Sequence, residues 1–332
     1  MIKGHGDDAY QYAGIAIKSD FSSNICLPAH GHQALMAHLA ACPHLLSHYP
    51  EPEAWSLERM LAERYGIAPE CVIVTCGATE AIYLVAQTFR LQHTIPSPTF
   101  SEYDDACNMF PTEDFEHEAF WVCNPNNPTG STFNFQHSSQ SEAAKPSATF
   151  NDYDLVVIDQ SYEHYTDKKV MTPKAAVRHG NVVQLHSMTK TYAVPGLRLG
   201  YIVTSVRLAQ MIRRYMRPWA VSALAVEAGK FLLQHDELMV HPDLAEAQRL
   251  RNLLDAIDGI TVLPTQTNFM LCLLEGHTAA QLKDYLARQH GMLIRDASNF
   301  TGLDKGHFRV ASQSPAENNA LVAAIQSFLY DH

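Results

Sequence analysis

The chain has 332 residues, 46% of them hydrophobic, enough apolar material for one large core plus a smaller unit rather than a string of modules. A formal net charge of −11 and a pI near 5.9 repel nucleic acid and anionic lipid, so neither is expected as a partner, whereas a few arginines in a cleft still suit a small anionic ligand. Seven cysteines with no CxxC pair argue against a disulfide framework and for a reducing cytoplasm. The start MIKGHGDDAY lacks the features of a signal peptide, and no apolar stretch reaches the ~18 residues of a membrane span.

In chain order, a helix is expected over Ser56–Tyr65, with Gly66 placed as its C-cap. A strand over Cys71–Thr75 and helices over Thr79–Phe89 and Ser101–Phe110 follow, then strands over Ala119–Cys123, Leu155–Asp159, Val182–His186 and Tyr201–Thr204, and a helix over Leu208–Met216. Strands alternating with helices predict an α/β fold with a mostly parallel sheet covered on both faces. The Ser/Ala-rich segment Gln136–Thr149 reads as a loop. Ser222–Ile257 is helix-rich with few breakers and is expected to bridge two domains. Beyond it, strands over Gly259–Leu263, Asn268–Leu274, Met292–Asp296 and His307–Ala311, with helices between and after, suggest a small α+β domain. Ser314-Pro315-Ala316-Glu317 is a capping box that opens a terminal helix.

Four local patterns carry chemistry. Ser187-Met188-Thr189-Lys190 follows an apolar strand, and Arg198 lies eight residues past the lysine in Pro195-Gly196-Leu197-Arg198-Leu199-Gly200. A lysine at the end of a buried strand can be desolvated into a nucleophilic amine, and flanking hydroxyls with an arginine suit a phosphate. Leu155-Val156-Val157-Ile158-Asp159 places a carboxylate at the edge where open α/β sheets bind ligands. Such a carboxylate could keep a pyridinium nitrogen protonated, with Tyr162 three residues on to bond a ring phenolic oxygen. Asn124-Pro125-Asn126-Asn127-Pro128-Thr129-Gly130 fixes a turn rich in donors and acceptors. Cys76-Gly77-Ala78-Thr79-Glu80 exposes backbone N–H groups at a helix start, where phosphate binds. Taken singly, each has an ordinary reading: a surface lysine, a cap, a turn, a strand–helix connection. Eighteen histidines, His30 and His32 among them, read as solvated side chains, and no third ligand at metal spacing stands out.

Taken together and in order, the four patterns resemble the fold type I pyridoxal-phosphate (PLP) enzymes of the class I/II aminotransferase superfamily. The resemblance implies a large PLP-binding domain (residues 46–225) with a mostly parallel mixed sheet between helices, and a small α+β domain (226–332) to which an N-terminal arm (1–45) contributes. It implies that Lys190 holds PLP as a Schiff base and shuttles protons. By the same resemblance Asp159 pairs with the ring nitrogen, Tyr162 and Asn127 bond the phenolic oxygen, and Phe100 stacks on the ring. Ala78, Thr79, Ser187, Thr189 and Arg198 then hold the phosphate. Tyr49, in His48-Tyr49-Pro50-Glu51-Pro52, matches a tyrosine that reaches the neighbouring subunit's cofactor phosphate, which implies a homodimer with shared active sites.

The start His5-Gly6-Asp7-Asp8, the run Asp20-Phe21-Ser22-Ser23-Asn24-Ile25, Pro98-Thr99-Phe100-Ser101-Glu102-Tyr103, Pro218-Trp219-Ala220-Val221-Ser222 and Leu293-Ile294-Arg295-Asp296-Ala297-Ser298-Asn299-Phe300 look like those of the threonine-phosphate decarboxylases. This similarity covers nearly the whole chain and implies decarboxylation of L-threonine O-3-phosphate in cobalamin side-chain synthesis. Histidinol-phosphate aminotransferases share many of the motifs and define the alternative reaction. Arg295 and Arg309, both in predicted strands, could clamp the substrate's anions, with His5 and Asn24 as further donors. Two departures stand out. Gln160 and Ser161 follow the aspartate where a glutamate and a small residue are usual, and Cys26-Leu27-Pro28 follow Ile25 where asparagine-proline is common.

Overall fold

A computed structural model of the chain describes residues 8–26, 31–133 and 150–331. Twelve strands appear among them: β1 (Ser19–Asp20), β2 (Val72–Thr75), β3 (Leu91–Thr94), β4 (Asp114–Cys123), β5 (Leu155–Asp159), β6 (Val182–Ser187), β7 (Gly200–Thr204), β8 (Ile260–Val262), β9 (Phe269–Leu274), β10 (Met292–Leu293), β11 (Arg295–Asp296) and β12 (His307–Ala311). The first sheet has the order β2-β7-β6-β5-β4-β3. Its β6, β5, β4 and β3 run parallel, and β7 is antiparallel to both neighbours. Every residue of β2, β5, β6 and β7 is buried, which is why these segments read as continuous β-branched and apolar runs rather than alternating ones.

Helices cover both faces of this sheet. The helix Gly77–Phe89 turns Ala81, Ile82, Leu84, Val85 and Ala86 inward, against a core that includes Ile73, Val157, Leu185 and Ile202. On the other face, Leu57 and Leu61 of the helix Trp55–Tyr65 pack with Val72, Val74, Leu199 and Val203. Gly66 ends that helix at φ 61° with its N–H on Ala62 and Glu63, the left-handed cap its position implied.

The second sheet, β11-β12-β9-β8, is antiparallel throughout, and the terminal helix Pro315–Asp331 packs Leu321, Ile325 and Phe328 onto it. Ser314 and Glu317 form the reciprocal cap: the Glu317 N–H donates to Ser314 Oγ at 3.4 Å and the Ser314 N–H to Glu317 Oε2 at 3.2 Å. The start of the chain is stitched into this region. β1 pairs with β10, the Phe21 N–H donates to Leu293, and the Phe21 carbonyl accepts from Ala311, both at 2.8 Å.

The structure revises the reading in places. The helix-rich segment Ser222–Ile257 is divided into two α-helices, Ala223–Leu233 and Leu244–Asp255. Pro242 lacks the N–H to continue a helix, and Asp243 caps the second one by accepting from Glu246 at 2.9 Å. β3, with the polar sequence LQHT and alternating exposure, is an edge strand that no apolar run announced. The expected loop Gln136–Thr149 lies outside the described residues. No described helix is long and apolar enough to cross a membrane.

Candidate active site

The parallel strands point the same way, so their carboxyl ends gather at one edge of the first sheet. Cys123 pairs in register with Asp159, Asp159 with Leu185, and Ser187 with Gly200, which also faces Thr75. A cleft of about 310 Å³ opens there, lined by Ala78, Thr79, Phe100, Asn127, Asp159, Tyr162, Ser187, Thr189, Lys190, Arg198, Arg295 and Arg309. Twelve residues singled out from sequence patterns scattered over more than two hundred positions thus share one space.

Lys190 sits in the single helical turn Met188–Thr191 that leaves β6. Its Nζ donates to the Ser23 carbonyl at 3.4 Å and lies 5.7 Å from the Tyr162 ring centre. Asp159 is buried, and its two oxygens have separate donors: the Tyr103 hydroxyl on Oδ2 and the Ser161 N–H on Oδ1, each at 2.8 Å. Tyr162 accepts from Asn24 Nδ2 at 3.4 Å. Burial pushes the Tyr162 phenol up to about 12, with Arg309 pulling the other way.

The glycines of the cradle are used for close approach. Gly77 has φ +84°, and a Cβ there would lie 2.8 Å from Arg198 Nη2; a Cβ on Gly200 would lie 2.7 Å from the Ala78 nitrogen. Only bare backbone lets the start of the helix Gly77–Phe89, with its unpaired N–H groups, lie against β7 and beside Arg198. In the asparagine–proline turn, Asn126 Nδ2 donates to the Pro98 carbonyl and to Thr129 Oγ1, both at 2.9 Å, so the turn ties the segment before Phe100 to the site. Phe100 meets Tyr103 edge to face at 5.7 Å.

Arg295 and Arg309 are cross-strand partners in β11 and β12, and both are nearly fully buried. Arg309 Nη1 donates to Asn127 Oδ1 and Nη2 to the Ser22 carbonyl, while its Nε has no partner. Arg295 donates to Asn299 Oδ1 at 2.7 Å and to the Asp296 carbonyl. Burial pulls both guanidinium groups down to about 10, and for Arg295 the neighbouring charge of Arg309 adds to it. No carboxylate forms an ion pair with either among the described residues, so an anionic ligand would relieve a standing electrostatic cost.

Other expected residues fall elsewhere. Tyr49 is 86% exposed, lies tilted against Trp219 with ring centres 5.5 Å apart, and does not line this cleft. Asn24, at φ 58°, is buried at the edge of the cleft, where it donates to Tyr162, and its Oδ1 is unpaired among the described residues. His5 and His30 lie outside the described residues, and His32 is bonded to the Ala193 carbonyl at 2.8 Å. His38, Cys42 and Glu227 bring one ligand atom each within 4.8 Å of one another, but Glu227 is already bonded to His38 and Lys230. Sequence reasoning missed Tyr103 and Ser161 as partners of Asp159. The signal for Tyr103 was present, three residues past Phe100 in PTFSEY.

The cleft fits a phosphorylated pyridine aldehyde. Thr189 Oγ1 is buried and without a partner among the described residues, and it shares the cleft with Ser187, Arg198 and the helix start at Ala78 and Thr79. Asp159 is a buried carboxylate whose described partners are a hydroxyl and an amide rather than a cation. A primary amine sits in the same space.

The family model for class I and II aminotransferases matches residues 109–325, and the chain belongs to that family; its cofactor is pyridoxal 5′-phosphate. Within the family, it is similar to the L-threonine-O-3-phosphate decarboxylase of Porphyromonas gingivalis, whose crystal structure superposes with a TM-score of 0.86 at 36% identity, covering 94% of this chain and 99% of that one. It is 28% identical to the threonine-phosphate decarboxylase of Salmonella typhimurium over 93% of this chain and 91% of that protein. The histidinol-phosphate aminotransferase of Sinorhizobium meliloti in complex with pyridoxal-5′-phosphate shares the fold at 16% identity, with a TM-score of 0.76 and coverage of 99% and 96%.

Proposed function

We propose that the chain is a PLP-dependent lyase that removes the carboxyl group of L-threonine O-3-phosphate, yielding (R)-1-amino-2-propanol O-phosphate for cobalamin side-chain synthesis. The observation that carries this reading is the pair Arg295 and Arg309, two buried guanidinium groups without carboxylate partners among the described residues, in the cleft that holds Lys190. They are additional to Arg198, which lies beside Gly77, so the cofactor phosphate and a doubly anionic substrate can be met at once. The similarity to two threonine-phosphate decarboxylases supports the choice of substrate.

Bound PLP would supply an electron sink for the bond broken at the substrate's Cα. Ala78, Thr79, Ser187, Thr189 and Arg198 would hold the cofactor phosphate, Asp159 the ring nitrogen, Tyr162 and Asn127 the phenolic oxygen, and Phe100 one ring face. Arg295 and Arg309, with Asn24 and His5, would hold the substrate. With the arginines on the substrate phosphate, the substrate carboxylate would be left free to depart as carbon dioxide, its bonding electrons passing to the cofactor, and Lys190, as its ammonium, would deliver a proton to Cα. Tyr49, exposed beside Trp219, would complete the cofactor site of a second copy in a homodimer.

Purified protein given L-threonine phosphate without 2-oxoglutarate should release carbon dioxide in step with substrate loss. Strict dependence on a keto acid, with amino transfer to it, would establish the aminotransferase reading instead.

A further inference from the structure

We infer that Tyr103 is a positioning residue that holds the Asp159 carboxylate oriented toward the cofactor's ring nitrogen. The inference rests on the reading of the cleft as a PLP site. A buried carboxylate is fixed in orientation by the donors that hold its two oxygens. Asp159 is 4% exposed, and the structure gives it two such donors on different oxygens: the Tyr103 hydroxyl on Oδ2 and the Ser161 N–H on Oδ1, each at 2.8 Å. One donor comes from the chain just after the aspartate. The other comes from 56 residues upstream, so the carboxylate plane is gripped from two independent elements.

The Tyr103 ring has little freedom to leave. It is 1% exposed, meets Phe100 edge to face at 5.7 Å and packs on Trp121 at 5.9 Å. Burial, reinforced by the charge of Asp159, holds its phenol well above the ordinary range, so the hydroxyl remains a donor at every working pH. The turn from Phe100 to Tyr103 therefore supplies both the ring placed to stack on the cofactor and the hydroxyl that steadies the carboxylate beneath it. With this donor in place, both Asp159 oxygens are held for the ring nitrogen they would meet. Without it, Oδ2 loses its donor and the carboxylate is free to turn.

The test is Tyr103→Phe, which keeps the ring in its wedge and deletes only the hydroxyl. It is read on the holoenzyme by the ¹⁵N resonance of PLP labelled at the ring nitrogen, and by titration of PLP into apoprotein. The expected result is a ring-nitrogen signal displaced toward its unprotonated position across the pH range where the wild-type signal is constant. PLP binding should weaken by roughly 10- to 150-fold, the equivalent of one hydrogen bond to a charged group. Asp159→Asn alone should displace the signal the same way, and adding Tyr103→Phe to it should change PLP affinity no further. A signal and pH profile in Tyr103→Phe that superimpose on the wild type, or full additivity of the two substitutions, would overturn the inference. Failure of the wild-type protein to bind PLP at all would instead overturn the cleft reading beneath it.

Discussion

Removing Arg309 separates substrate binding from cofactor binding. Its side chain makes two charge-assisted bonds, to Asn127 Oδ1 and the Ser22 carbonyl, and has an unpaired Nε in a cleft shared with Lys190. In Arg309→Ala the substrate anion loses its buried partner, at a cost of about 2–5 kcal/mol. At 1.4 kcal/mol per tenfold, that weakens binding by about 30-fold to a few thousand-fold. The two abandoned acceptors cost stability as well, about 1–3 kcal/mol each, partly offset because a buried cation held down to about 10 is no longer present. The assay is a titration of L-threonine phosphate followed by the cofactor's absorbance, with bound PLP quantified in parallel and a thermal melt of the apoprotein. Substrate affinity should collapse, PLP should stay bound, and melting should fall. Arg309→Lys should recover only part of the affinity, because an ammonium lacks the planar fork. Unchanged substrate affinity, or loss of PLP, would refute the assignment and make this arginine structural.

Lys190→Ala should abolish the visible absorbance of the lysine-linked cofactor and all turnover while leaving a folded protein by circular dichroism; retained turnover would remove the lysine from its role. Gly77→Ala places a Cβ at φ +84° and 2.8 Å from Arg198 Nη2, so it should lose about 1–2 kcal/mol of stability from backbone strain and also bind PLP more weakly. Gly66→Ala, left-handed but with open space around it, should show the stability loss alone in the same melt and titration. Glu163 is largely removed from solvent, which by itself would raise its carboxyl, yet His186 at 2.8 Å and His164 bring it below the ordinary carboxylate value. The stability it contributes is therefore present above that value and is lost as the pH falls through the lowered one. Glu163→Gln should lower the melting temperature at neutral pH, by the equivalent of about 1.5–3 kcal/mol for a charged hydrogen bond, and converge with the wild type in acid; equal losses at both pH values would contradict this.

The two arginines show where sequence reading succeeds and where it stops. Arg295 and Arg309 were recognisable as strand residues because Met292–Asp296 and His307–Ala311 have apolar runs, and their separation of fourteen positions says nothing about contact. That they are direct partners follows from the antiparallel register of β11 and β12, and a slip of one residue would turn one of them to the opposite face. Tyr103 was quoted in its motif but not connected to Asp159, since a helix residue's reach depends on the helix's placement against the sheet.

The sequence by itself determined the strands and the turns, and through its family resemblance the cofactor. The strands and turns depend on local properties: apolar runs long enough to be buried on both faces, and prolines and glycines that restrict or free the backbone. Tertiary structure alone decided which distant groups meet. Asn24 reaches Tyr162 across 138 residues, and Arg309 reaches Asn127 across 182. Such pairings depend on strand register and on how the start of the chain is laid between β10 and β12, and no short stretch of sequence encodes either.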